Sequence, residues 1–499
     1  MTLEEQCRAA LTRDPDLPAL EYRGEWVRWG WMRGVADRIN ALLDDAGLDP
    51  RAPIGFVPRN RPSAAAAMLG MIARGRTIRM IYAFQSPTGI ARDVGRLKLA
   101  AVIAGAEELA DEVLAVAAEQ GIAAIALGEV DGAAAITGFE RSTATPDPDA
   151  PADPQIQILT SGTTGPPKHF AVGYEMIAKH IVGFNVTYQE NEDVSALPPA
   201  MLYFPFGNIS GVYGLLPPTL KGHPAVLLDR FRIEDWLDYV RRYRPNRCSL
   251  PPAGIRMVLD ADVPKEDLAS VTTIGTGAAP LDPTVQRAFE ERYGIPILLS
   301  YGATEFGGPV TAMTAEMIPE WGAKKFGSVG RPFAGAKLRV LDVETGEELP
   351  PGKEGLLEVI SPRIGPDWIT TTDIGMIDED GFIFHRGRSD GAIMRGGFKL
   401  LPETIGRALM LHPAIAATAV VGIRDERLGQ VPVAAIQLKP DAAQPTTEEL
   451  DTHLRAHVYA THIPVAYRFV AALPRTPSMK VDLPAVAALF EQTVVATSG

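Results

Sequence analysis

From its start to about Ile297 the chain alternates short apolar runs with longer amphipathic ones, a rhythm that implies layers of helices and strands. Ile54 to Val57, Ala100 to Ile103 and Ile122 to Leu127 read as buried strands, and Met32 to Ala46 as an amphipathic helix. After the proline-rich stretch Thr143 to Pro154, which reads as an exposed linker, the rhythm resumes with a strand at Ala225 to Leu228 and a helix at Ile233 to Tyr243. From Gly327 to Phe384, turns such as Pro350-Pro351-Gly352 and Asp378-Glu379-Asp380-Gly381 cut the chain into short strands and predict a β-rich subdomain. The tail mixes both element types, with Thr446 to Tyr459 helical, and is long enough for a small domain. The expected fold class is therefore α/β. A large N-terminal domain, residues 1–389, holds layered α/β subdomains plus the β-rich one, and a small α+β domain follows at 390–499.

Charge and cysteine content narrow the partners. Lys and Arg number 48 against 61 Asp and Glu, and the net charge of −13 repels polyanions, which disfavours nucleic acid. Two cysteines, Cys7 and Cys248, cannot build a disulfide framework and fit a reducing compartment. The first residues lack the basic-then-apolar order of a secretory leader. The longest apolar stretch, Ala64 to Ala73, is far short of the ~20 residues of a spanning helix, so a cytoplasmic protein is expected.

The sharpest chemical signal runs from Ile156 to Lys168, an apolar strand opening into Thr160, Ser161, Gly162, Thr163, Thr164, Gly165 and, after two prolines, Lys168. Glycines let backbone N–H groups approach a polyphosphate, hydroxyls donate to it, and a lysine adds a point charge. A Walker loop is not matched, because His169 follows the lysine. Gly275 and Gly277 hint at a dinucleotide fingerprint, but Pro280 stands where its third glycine belongs.

These residues, with further segments in order along nearly the whole chain, resemble the acyl-adenylate-forming superfamily, in its acyl-CoA ligase branch. Gly277-Ala278-Ala279-Pro280 resembles the loop that borders adenine. Tyr301-Gly302-Ala303-Thr304-Glu305 resembles the segment whose tyrosine stacks on adenine while the threonine meets phosphate and the glutamate holds Mg²⁺. The resemblance implies that Asp373 binds both ribose hydroxyls, that Arg388 also reaches the ribose, and that Asp390 is the hinge of a mobile C-terminal domain. It implies that Gly396, Gly397 and Phe398 line a pantetheine tunnel, and that Lys480 bridges the substrate carboxylate and the α-phosphate. The chemistry suits those roles: an aromatic face fits a base, an oxygen ligand fits a hard cation, and a mobile ammonium draws two anions together.

Tyr203 to Gly211 resembles the segment that shapes the acyl pocket, which makes Phe206, Asn208, Gly211 and Gly302 the expected lining. No aspartate is present there to pair with an amine, so an α-amino acid is disfavoured. Three positions depart from the family pattern: His169, Thr372 and Met479 stand where glycine is usual, and a Cβ restricts the backbone.

The implied activity is that of an acyl-CoA ligase using ATP, Mg²⁺ and CoA, with a carboxylic acid as substrate. Three alternatives stay open: a thioester-forming enzyme fed with preformed acyl adenylate by a partner enzyme, a carrier-protein-loading ligase, and an oxidative use of the adenylate. Retention of Lys480, Glu305 and Asp373 argues against a silent nucleotide-binding scaffold. The sequence also leaves open a homo-oligomer. His453, His457 and His462 have a spacing that can bind metal, but no further ligand completes it, and a solvated helix face is the simpler expectation.

Overall fold

The structure, a computed structural model, describes the chain apart from residues 130–131, 161–167, 184–193, 334, 390, 396–397, 426–427, 459, 477–478 and 492–499. For a few flanking positions, among them Thr160, Lys168, His169 and Phe398, only the backbone is described. The chain divides into two compact units, Met1–Pro245 and Asn246–Gly499.

The first unit is built on a seven-stranded sheet. Its order is Ala133–Ala135, Ala123–Leu127, Ala101–Gly105, Ile54–Val57, Ile78–Met80, Gln155–Thr160 and Lys168–Gly173, parallel except for the outermost strand at each end. The inner strands read as continuous apolar runs because both faces are covered. One cover is the helix Pro62–Ala73, buried at every residue, so it has no polar face. Its Gly70 lies so close to the helix Trp29–Asp45 that an added Cβ would stand 2.9 Å from the Ala36 Cβ. A smaller sheet pairs Pro18–Tyr22 with Glu25–Arg28 on one side and, in parallel, with Ala225–Leu227 on the other.

The stretch Thr143 to Pro154 is irregular and mostly exposed, as its prolines suggest, but it is anchored at Asp147. Arg79, in a central strand, is buried and needs a counter-charge, and Asp147 supplies it at 2.7 Å with a side chain only 2% exposed. Lys98 reaches the same carboxylate at 3.3 Å, and the Thr143 N–H donates to the Gly121 carbonyl.

In the second unit, Arg247–Ser249, Thr273–Thr276 and Ile297–Ala303 run parallel, and Gly308–Ala312 turns back on the last of them. The expected β-rich part is a four-stranded antiparallel meander of Lys337–Leu341, Glu354–Ile360, Ile369–Ile377 and Ile383–Arg388. The C-terminal part has a sheet whose longest pair is Ile415–Asp425 with Gly429–Leu438, joined in parallel by Ala466–Val470. The helices Pro402–Met410 and Thr447–Arg455 pack on it, the latter opened by a Thr446–Glu449 capping box.

Candidate active site

The phosphate-loop sequence has a described stem. Gln155–Thr160 and Lys168–Gly173 pair antiparallel with Thr160 opposite Lys168. Ser161, Gly162, Thr163, Thr164 and Gly165 lie outside the described residues, as do the side chains of Thr160 and Lys168.

In the second unit the loop expected to border adenine leaves the strand Thr273–Thr276. Gly277 lies against Ser300, where a Cβ would come 2.4 Å from the hydroxyl oxygen. Ala278 has φ 63°, a left-handed conformation that L-residues adopt only under constraint. Tyr301 is buried beside Phe306, and its hydroxyl donates to Asp373 Oδ2 at 2.6 Å. Its phenol is pushed well above the usual range by burial and then by the Asp373 charge, so it stays a donor. Gly302 follows at a bulge, and a Cβ there would meet the Pro309 backbone at 2.3 Å. Its small size is thus already required by the neighbouring strand.

Thr304, Glu305 and Phe306 form a short turn after that strand. The Glu305 side chain is exposed, and among the described residues it has no ion-pair partner within 4.0 Å. No group of three or more His, Cys, Asp or Glu side chains is arranged to hold a metal among the described residues. One free carboxylate suits Mg²⁺, which takes most of its ligands from phosphate and water and needs no closed protein cage.

Asp373 is held from two sides. Tyr301 donates to Oδ2, and His385 Nε2 stands 3.4 Å from Oδ1. Burial pushes this carboxyl up, but the hydrogen bonds from His385 and Tyr301 and the charge of Arg388 more than offset it, leaving the group below its usual range and ionised. A bulge brings His385 there. Asp373 pairs with Arg388 and Ile374 with Gly387, but Gly375 pairs with His385, so Arg386 is the extra residue. Without that bulge, His385 and Arg388 would lie on opposite faces of the sheet. Gly387 accommodates it at φ 140°, and a Cβ there would stand 2.5 Å from Glu403 Oε2. Arg388 donates to Thr372 Oγ1 at 2.7 Å.

Lys480 sits at the end of a tight turn. The Thr476 N–H donates to the Lys480 carbonyl at 2.8 Å, the Met479 N–H to the Thr476 carbonyl at 2.8 Å, and Arg475 to the Met479 carbonyl at 3.0 Å. Met479 has φ 65°, so it takes the left-handed conformation that a glycine would adopt. The Lys480 ammonium is held below the usual lysine range by burial and by the like charge of Arg388, while Glu305 pulls it back up. The residue is nevertheless exposed to solvent. Tyr301, Glu305, Asp373, Arg388 and Lys480 thus belong to one electrostatic cluster of the second unit. Gly396, Gly397 and Asp390 lie outside the described residues, and Phe398 is described only as the first residue of a strand.

The expected acyl-pocket segment belongs to the first unit. Phe206 is 1% exposed and joins the main core, and Gly211 is required by packing, since a Cβ would stand 2.1 Å from the Pro205 carbonyl oxygen. Asn208 is half-buried at the start of the helix Ile209–Lys221. The buried Asn60, which pattern reading passed over, fastens this segment. It donates to the Phe204 and Leu228 carbonyls at 3.1 and 3.2 Å and accepts from the Phe206 N–H at 3.1 Å. Far from these residues in sequence, His453 donates to the Ala408 carbonyl at 2.8 Å and packs against His412 and His457, which accounts for it structurally.

The AMP-binding enzyme family matches residues 7–366, and its C-terminal domain family matches 405–480. The chain belongs to the AMP-binding enzyme family. This AMP-binding enzyme is accordingly a member of the acyl-adenylate-forming superfamily and an AMP-forming ligase. It is 27% identical to 4-coumarate–CoA ligase 3 of Oryza sativa subsp. japonica, over 96% of this chain and 91% of that one. It is 30% identical to the sulfoacetate–CoA ligase of Cupriavidus necator, over 68% of this chain and 67% of that one. Its fold matches that of ATP-bound MatB from Rhodopseudomonas palustris with a TM-score of 0.80, covering 99% of this chain and 100% of that one at 22% identity.

Proposed function

We propose that this AMP-binding enzyme is an acyl-CoA ligase for a non-amino carboxylic acid. In the first half-reaction a carboxylate oxygen attacks the α-phosphorus of ATP, giving an acyl adenylate and pyrophosphate. In the second, the thiol of CoA attacks the acyl carbon and AMP leaves. A carboxylate is a poor electrophile, and the phosphoric anhydride makes it a good one.

The observation that carries the reading is the cluster of the second unit, in which an ionised Asp373, a donor Tyr301, two cationic side chains and one free carboxylate share one field. In this reading Tyr301 meets the adenine, Asp373 and Arg388 take the ribose, and Thr304 meets phosphate. Glu305 holds Mg²⁺, which would screen the phosphate charge. Lys480 stabilises the charge that builds at phosphorus. The loop 161–167 receives the β- and γ-phosphates, and Gly396, Gly397 and Phe398 guide pantetheine once the domain beyond Asp390 has turned, a hinge motion. CoA as acceptor is supported by the two relatives named CoA ligases.

The backbone at Met479 bears on the alternative of an enzyme that only forms thioesters. Because Met479 adopts the glycine conformation, the turn presenting Lys480 keeps its hydrogen bonds, which favours retained adenylation. The test is a panel of aromatic, aliphatic and sulfonated acids with MgATP, scored for acid-dependent pyrophosphate exchange and then for thioester with CoA. An acid that supports both establishes the reading. Exchange without CoA transfer, or consumption of synthetic adenylates without exchange, overturns it in favour of a carrier-protein or a thioester-only enzyme respectively.

A further inference from the structure

Asp373 is read above as the ribose carboxylate, and the inference here rests on that reading. A carboxylate offers about four acceptor positions and grips vicinal hydroxyls only if it is ionised and correctly rotated. Rotation about its last bond is otherwise nearly free. Tyr301 fixes one oxygen at 2.6 Å, which leaves the carboxylate plane able to swing about that contact. His385 supplies a second point, with Nε2 at 3.4 Å from the other oxygen, and facing a carboxylate that nitrogen is the donor. The imidazole is itself held, its ring 5.6 Å from the Tyr301 ring at 34°. The bulge at Arg386 and the φ of 140° at Gly387 are what turn His385 to this face.

We propose that His385 is a positioning residue for nucleotide recognition: it and Tyr301 lock the Asp373 carboxylate so that its two remaining acceptor positions face the ribose 2′- and 3′-hydroxyls. Arg388, opposite Asp373 in the ladder, donates to Thr372 Oγ1. The arrangement adds no contact between His385 and the nucleotide. It makes discrimination between ribose and deoxyribose depend on a residue that touches neither sugar.

Calorimetric titration of the full chain with MgATP and with Mg-2′-deoxyATP tests this without knowledge of the acid. Wild type should bind ATP at least about tenfold more tightly than the deoxynucleotide, the worth of one charge-assisted hydrogen bond. His385→Phe should weaken ATP by roughly tenfold and the deoxynucleotide far less, so that the ratio falls toward one. His385→Gln, which restores an N–H of similar reach, should recover most of the ratio. Asp373→Asn is the control for the underlying reading. If wild type does not discriminate, or if Asp373→Asn discriminates like wild type, Asp373 is not the ribose carboxylate and the reading itself falls. If Asp373→Asn loses discrimination but His385→Phe keeps it, the ribose reading stands and the role of His385 is overturned. Equal weakening of both nucleotides by His385→Phe marks a merely structural residue and also overturns it.

Discussion

Replacing Met479 by glycine isolates the backbone beneath Lys480. A residue with a Cβ in the left-handed region carries a cost of about 1–2 kcal/mol, and Met479 sits there at φ 65°. Glycine removes that cost but gives back about 0.5–1 kcal/mol through the greater freedom of the opened chain. The turn should therefore gain on the order of 0.5–1 kcal/mol, which slows its local opening roughly two- to fivefold. The amides that report it are those of Thr476, bonded to the Lys480 carbonyl, and Lys480, bonded to Thr476 Oγ1 at 3.2 Å. Hydrogen exchange at those two amides, followed by mass spectrometry of C-terminal peptides, should slow by that factor in Met479→Gly. Acid-dependent pyrophosphate exchange should change less than about threefold, because both residues give Lys480 the same backbone path. Two results refute this reasoning. Faster amide exchange in the variant would show that the methionine is not strained. Pyrophosphate exchange that is silent in wild type and appears in the variant would show that the methionine side chain, and not the backbone, governs adenylation.

Lys480→Ala should lower adenylation by at least ~10²-fold while sparing thioester formation from a supplied adenylate, since it removes a preorganised charge from the first transition state. Because the ammonium of Lys480 is depressed by burial and Arg388, it loses its proton below pH 10.5, and its acylation by acetic anhydride should reach half-maximal rate below that value. Asn60→Leu strands three hydrogen-bonding groups, those of Phe204, Phe206 and Leu228, and should cost about 2–4 kcal/mol by denaturant unfolding. Burial raises the Glu403 carboxyl above 4.5, so its contribution to stability is present below pH 4.5 and lost as pH rises through the raised value. Glu403→Gln should then melt above wild type at pH 8, with the gap closing toward pH 4.5.

Much of the architecture could be read from residue patterns, because apolar runs with both faces covered leave little choice. Ile54–Val57 and Ile233–Tyr243 have the expected bounds, and the turn-rich stretch before Phe384 is β-rich as expected, its strands forming an antiparallel meander. The exposed linker was legible but its anchor at Asp147 was not, since composition cannot reveal that a distant Arg79 needs a counter-charge. The residues proposed for the nucleotide site were singled out by resemblance, while the side chains that hold them were not. His385 was hidden because regular alternation puts it and Arg388 on opposite faces, and only the bulge at Arg386 reverses this. Asn60 carries its signal in three backbone partners some 140–170 residues away, which no local pattern encodes. Gly211 and Gly302 suggested room for a substrate, but packing already accounts for their size.

The parallel pairing of Pro18–Tyr22 with Ala225–Leu227 has a consequence during synthesis on the ribosome. Leu20 and its partner Ala225 are about two hundred residues apart, so at roughly 5–20 residues per second the first strand waits on the order of 10–40 seconds for its neighbour. The strand Ile78–Met80 likewise pairs with Gln155–Thr160 only after some eighty further residues have emerged. The nascent N-terminal unit therefore carries uncovered apolar surface for most of its own translation. Codon pace and holdase chaperones, rather than the melting temperature of the finished enzyme, should set how much of this protein a cell obtains in soluble form.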